Sequence, residues 1–256
     1  MLTLRGLVSK RGWPISESWV DDWPKDARGA KQDQVEKRRL LRLQTLDLDE
    51  VRSILAIGVG YSESRSSAVA VGVPMLPNGQ RLGDTLLVAE ENRAFPYVAG
   101  LFFYREGPAV MSLMRSLPGP PDLVVSYGQG IAHPRGFGLA SHLGVLAGVP
   151  SIGVTRKRLW GSAAEPGLDS TEPLPMVDRA GKEIGVTQRL LPDCEQVFAS
   201  PGHLTDVETV RAAMARWTAV QGCLPMALCV AQEEANRRAM GRTSQQTRRS
   251  NRRRNR

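Results

Sequence analysis

Residues 53–60, Ser53-Ile54-Leu55-Ala56-Ile57-Gly58-Val59-Gly60, carry no charge and are rich in aliphatic side chains, the pattern of a strand covered on both faces. Such a strand needs neighbours at its edges and layers above and below, which restricts the chain to a sheet flanked by helices. The following segments supply these neighbours. Residues 67–73 and 85–90 have strand composition, and Asn78-Gly79 between them is a strong turn signal. Residues 97–117 repeat Leu101, Tyr104, Ala109, Leu113 and Met114 at helical steps and are expected to form a helix. A strand at 123–127, a helix at 137–147 and a strand at 151–154 follow, an alternation that implies parallel pairing in this half. Ala180-Gly181 suggests a second hairpin, and residues 204–220 a late helix.

Outside this core the pattern weakens. Residues 1–30 hold Trp13, Trp19 and Trp23 between prolines and read as an irregular arm whose tryptophans pack onto the core or, alternatively, contact a protein partner. Residues 31–45 suit a solvent-facing helix and open a main domain expected over 31–235. The net charge of +8 is local, because residues 237–256 hold nine arginines and no acid, leaving 25 basic against 26 acidic groups elsewhere. Residues 236–256 are therefore expected to be a basic disordered tail able to hold phosphates by salt-sensitive attraction. Cys194, Cys223 and Cys229 are odd in number and lack CxxC spacing, which argues against a disulfide framework or a zinc site and favours buried thiols. No apolar run approaches the ~18 residues of a membrane span, and residues 1–13 lack the core of a secretory signal. A cytoplasmic protein without a membrane partner is expected. Neither Gly58-Val59-Gly60 nor Gly128-Gln129-Gly130 has the full spacing of a dinucleotide fingerprint.

Three antiparallel strands followed by helix, strand, helix and strand is the order of the ribonuclease H-like fold, an α/β architecture with a mixed five-stranded core sheet flanked by helices. On those elements lie Pro96-Tyr97-Val98-Ala99-Gly100, Tyr104-Arg105-Glu106-Gly107-Pro108, Gly130-Ile131-Ala132-His133-Pro134-Arg135, Gly153-Val154-Thr155-Arg156-Lys157-Arg158-Leu159 and Gly202-His203. In content and order these motifs resemble the endonuclease V family, metal-dependent DNA repair nucleases that cut a strand one bond beyond a deaminated purine such as inosine. The resemblance covers residues 30–220. It implies that Tyr97 is a wedge replacing the stacking of a displaced base, that Gly100 and Gly128 line the base pocket with backbone groups, and that Lys157 serves the cleaved phosphate with Arg156 and Arg158 in support. Arg135 and His133 are nucleic-acid-binding candidates, His133 either contacting phosphate or fixing its loop, whereas His142 reads as a packed residue. His203 matches a histidine that sits close to the family's metal site. The implied cofactor is Mg²⁺ or Mn²⁺, and the implied partner is DNA or RNA.

The same comparison exposes a gap. Of the carboxylates that would hold the metal, Glu106 is retained, but Gly58 and Tyr127 stand where aspartates are expected. Glu63 and Asp122 are each five residues from the vacated positions, roughly 16 Å along a strand, and Ser126 points to the opposite face from Tyr127. Asp84 and Asp206 are the remaining acids weighed as substitutes. A site with one carboxylate would hold Mg²⁺ weakly. The expected function is thus an endonuclease V-like nucleic-acid-binding protein, in effect a pseudoenzyme, recognising inosine-type or distorted DNA or RNA with cleavage lost or impaired. The alternatives are an active divergent endonuclease and a protein-interaction scaffold.

Overall fold

The computed structural model describes residues 23–92, 95–192, 194–217 and 223–254. Its central strand is the apolar run, β1 (Ile54–Ser62), which pairs antiparallel with β2 (Ser67–Met75) along its whole length. β2 pairs in turn with β3 (Leu87–Asn92). On its other edge β1 runs parallel to β4 (Leu123–Tyr127), but only from Ile54 to Ile57. β4 pairs parallel with β5 (Ser151–Thr155). These are the five expected strands, in the order β3-β2-β1-β4-β5. The sheet continues through β9 (Val197–Pro201), β8 (Glu183–Gln188), β7 (Leu174–Val177) and β6 (Ser162–Ala163), all antiparallel, so it has nine strands rather than five.

Alternation along β1 divides the core. Leu55, Ile57 and Val59 face α2 (Phe102–Arg115) and α3 (Leu139–Ala147), where Phe103, Val110, Leu113 and Leu143 complete one apolar layer. Ala56 belongs to the opposite layer, with Ala227, Leu228, Ala231 and Ala235 of α5 (Met226–Arg254) and Val210 of α4 (Val207–Arg216). The alanines at 227, 231, 235 and 239 recur every four residues, a narrow stripe on one helix face. Against it β1 offers Ala56, Gly58 and Gly60, so helix and strand backbones meet closely. A Cβ on Gly58 would lie 2.5 Å from the Ala231 carbonyl carbon and from the Gln232 Cα.

Several boundaries move for local reasons. The first helix, α1 (Ala27–Lys37), begins inside the expected arm because Asp26 caps it, accepting a 2.7 Å hydrogen bond from Gly29 N–H. It ends in one turn of 3-10 helix at Arg38–Leu40 rather than at residue 45. Trp23 packs on Phe103, 5.5 Å between ring centroids, and donates its indole N–H to the Tyr104 carbonyl at 2.9 Å. Trp13 and Trp19 lie outside the described residues. α2 starts at Phe102 rather than 97 because Gly100 has φ +78°, which no helix continues. α4 starts at Val207, after Leu204 at φ +52° and the capping Asp206.

One expectation is corrected. Cys194 and Cys223 are joined by a disulfide, Cα atoms 5.3 Å apart, and only Cys229 is a buried free thiol. Local spacing could not reveal a bridge between cysteines brought together by the fold. α5 runs from Met226 to Arg254 and so spans the boundary expected after residue 235. Among the described residues no helix is long and apolar enough to cross a membrane.

Candidate nucleic-acid cavity

Because β1 outruns β4, the backbone of Val59 needs another partner on that side. The Gln232 side chain provides it: Gln232 Nε2 donates to Val59 O at 2.8 Å and Gln232 Oε1 accepts from Val59 N–H at 3.1 Å. The space between this contact, the ends of β4 and β5 and the start of α2 is a cavity of about 220 Å³. Glu106, Tyr127, Gly128, Gln129, Thr155 and Gln232 supply its polar lining, and Phe102, Phe103 and Leu139 its apolar wall. Sequence reasoning missed Gln34, Gln129 and Gln232. Gln129 sits inside a motif already singled out, whereas the other two reach the cavity from distant helices.

Gly100 closes one side of the cavity. Its carbonyl accepts hydrogen bonds from Gln34 Nε2, His133 Nε2 and Arg135 Nη2, each at 2.9 Å. His133 Nδ1 accepts from Arg135 N–H at 3.2 Å, so the ring is neutral with its proton on Nε2. Burial holds its pKa down at about 4. Arg135 Nε also bonds Gln34 Oε1, and Gln34 Nε2 reaches Phe137 O at 3.0 Å. His133 and Arg135, nucleic-acid-binding candidates from sequence, are thus occupied in fixing the Gly100 loop, the second of the two roles weighed for His133. A Cβ at Gly100 would come within 2.9 Å of the His133 ring, so glycine is required by space as well as by φ.

Tyr97, at the other end of that loop, is 69% exposed, which excludes packing beneath α2. Its ring lies 5.4 Å from that of Phe102, which lines the cavity, and 5.6 Å from the Arg105 guanidinium. Arg105 is buried, stacked 3.3 Å over Tyr61 and paired with Glu63. An exposed aromatic therefore stands at the lip of the cavity on a firmly packed base.

Glu106 is the one carboxylate in the lining. Burial pushes its pKa up to about 7, against the pull of Arg105. Continuing the β1–β4 register places Gly58 beside Tyr127, and both face α5. The acids weighed as substitutes are engaged elsewhere. Glu63 pairs with Arg105, Asp84 with Arg81, and Asp122 accepts from the backbone N–H groups of Arg52 and Ser53. Asp206 caps α4 and accepts from Thr45. Among the described residues no group of three or more His, Cys, Asp or Glu side chains is placed to hold a metal ion.

Arg156, Lys157 and Arg158 are exposed just beyond β5, and Lys157 and Arg158 border a crevice that shares Gln129 and Thr155 with the cavity. His203 departs from expectation. It does not line the cavity; it pairs through its backbone with Ser151, at the opposite end of β5 from Thr155, and its Nδ1 accepts from Arg42 N–H at 3.3 Å. Its sequence context fixed the strand end but not the direction of the ring. His142 is fully buried, as its place in a helix implied, stacked 4.3 Å from Phe103.

An antiparallel β3-β2-β1 unit extended by parallel β4 and β5, helices on both faces, and a cavity of mixed polar and apolar lining at the carboxyl ends of the central strands define a ribonuclease H-like α/β protein. The family model described as Endonuclease V matches residues 35–233, and the chain belongs to the endonuclease V family. It is similar to endonuclease V of Azotobacter vinelandii, 35% identical over 233 residues, 88% of this chain and 100% of the relative. With endonuclease V of Kosmotoga olearia it is 39% identical over 142 residues, 54% of this chain and 63% of that one. Among solved structures, endonuclease V of Streptomyces avermitilis superposes with a TM-score of 0.77 at 32% identity, covering 88% of this chain and 97% of that one. Ciona intestinalis endonuclease V, solved with a 23-mer DNA containing an inosine, shares the fold at 18% identity and a TM-score of 0.68, covering 88% and 99%.

Proposed function

We propose that this protein binds DNA or RNA carrying an inosine-type or distorted base, with the base in the cavity and Tyr97 as the wedge, and that metal-dependent strand cleavage is lost or impaired. The cavity is large enough for the role, since an apolar cavity of about 150 Å³ already admits benzene. The Gln129 side-chain amide in the cavity wall offers a donor and an acceptor to a base edge, as a flipped-base pocket requires, and Gly128, its N–H held by Val154 O, lets the base approach the main chain. Inosine as the substrate follows the DNA named for the Ciona protein. A cytoplasmic location belongs to the same proposal.

One observation carries the catalytic half of this reading: where an acid at position 58 would project, the backbone of Ala231 and Gln232 already stands. Mg²⁺ demands near-octahedral oxygen ligation, usually with one or two carboxylates and several waters. Glu106 reaches only the lower limit of that ligation, no second carboxylate among the described residues lines the cavity and the Gln232 oxygen is committed to Val59, so the residues present make a poor fit for the ion. No hydrolytic step is therefore derived through a metal.

The test incubates the protein with inosine-containing and unmodified strands in Mg²⁺ or Mn²⁺, scoring cleavage and retention together. Selective retention without product is expected, weakened roughly 5- to 100-fold by Tyr97→Ala, the range for losing one aromatic–base stack. Product one bond past the inosine, abolished by Glu106→Ala, would establish an active divergent endonuclease instead. Absence of selective retention would leave the scaffold reading.

A further inference from the structure

Gln129 and Thr155, which line the cavity, also border a tightly closed seam whose other walls include Lys157, Arg158 and Trp160. Arg158 and Trp160 then border an open pocket of about 360 Å³, whose other wall is Asp178 and Arg179 in the turn between β7 and β8. The Arg179 guanidinium lies 4.9 Å from the Trp160 ring centroid. Trp160 is half-buried and packs against an apolar cluster of Ala132, Met176, Ile184 and Phe198. Its neighbour Gly161, at φ +82°, would bring a Cβ within 2.7 Å of Val177 O, so the chain here is seated tightly on β7. The Asp178 carboxylate accepts from the N–H groups of Ala180 and Lys182 at 2.8 and 3.0 Å. These bonds tie the Asp178 side chain to its own turn, and Arg158 and Arg179 are exposed at the pocket, leaving one net positive charge among the three.

A fixed indole with the exposed Arg179 guanidinium over its ring is the chemistry of a single-stranded nucleic-acid site, in which a base displaces the arginine from the aromatic face and its phosphate meets the freed cation and Arg158. We propose that Trp160, Arg158 and Arg179 form a second nucleotide subsite, taking a single-stranded flank of the strand whose base enters the cavity. The inference rests on the nucleic-acid reading above. Five residues separate Thr155 from Trp160, at most roughly 17 Å of chain, so a few nucleotides span the two positions.

The test measures binding of an inosine-centred 5-mer, and of the same oligonucleotide extended by six thymidines on one side and then on the other, by fluorescence anisotropy. One extension is expected to tighten binding roughly 5- to 100-fold. Trp160→Ala and Arg179→Glu should each remove that gain while leaving the 5-mer unaffected. Arg158→Ala should lower the salt slope for the extended strand by about 0.7, the value for one phosphate contact on a single strand. Arg179 lies on an exposed turn, so its variant keeps the test valid if Trp160→Ala loses stability. A gain that survives both variants, or an equal loss for the 5-mer, would overturn the subsite. A bound 5-mer with no benefit from either extension overturns the subsite alone, whereas failure to bind any of the three overturns the nucleic-acid reading with it.

Discussion

Glu106, a half-buried carboxyl in the cavity wall with a raised pKa, prefers its neutral form, so the stability it contributes is fully present below about 4.5 and lost as pH rises through about 7. Glu106→Gln is accordingly expected to match the parent in urea midpoint at pH 4 and exceed it at pH 8; a difference independent of pH would mean that the carboxyl is solvated or paired with a cation. At Gly58 a single methyl meets helix backbone, and overpacking of that kind costs about 1–3 kcal/mol. Gly58→Ala should therefore lower the urea midpoint. Gly241→Ala is the control: nothing lies within 4 Å of a Cβ there, and alanine favours a helix over glycine by roughly 1 kcal/mol, so its midpoint should rise.

At the scale of elements, α1 is tied to α2 and α3 by polar groups as much as by apolar ones. Tyr104 donates to Asp33 at 2.6 Å and lies 3.0 Å from His142 Nε2. Burial alone would raise the Asp33 pKa, but His142, Lys37 and Tyr104 together hold it at about 2. Burial keeps His142 and His133 neutral with pKa values of about 4. Each ring resists protonation on folding, so stability is full above about 6.5 and falls as pH drops through 4, by roughly 3 kcal/mol per histidine. Because Glu106 titrates in the opposite sense over the same range, urea midpoints taken from pH 7 to pH 4 in the Glu106→Gln variant should show this fall, and a flat profile there would contradict burial of both rings. The strands β1, β4 and β5 were legible because they are apolar on both faces, and α2 because its apolar residues keep a helical period. β9 was hidden by its brevity and by Ser200 and Pro201, which weaken the strand signal. α5 escaped because its buried stripe is alanine, a residue whose presence does not distinguish a buried face from an exposed one. In the site, Tyr97, Gly100 and Glu106 were readable from motifs. Gln232 and the Gly100 clamp were not, since each depends on contacts more than 30 residues apart in sequence.

For the molecule as a whole, the disulfide and α5 fix the far side of the sheet. Cys194 precedes β9 and Cys223 precedes α5, a separation of 29 residues. Closing a loop of that length restrains the unfolded chain by roughly 3 kcal/mol, so reduction should lower the urea midpoint. Thiol titration in denaturant should count one reactive group before reduction and three after; three before reduction would show that the bridge is not formed. The pair Gly58→Asp with Tyr127→Asp is expected to lose stability without gaining tight Mn²⁺ binding, read by thermal melts and metal titration. Because main chain rather than side chain occupies the space at position 58, no substitution on α5 can clear it. The seated helix acts as a lock on position 58: a side chain of any kind enters β1 there only after the helix has been lifted from the strand.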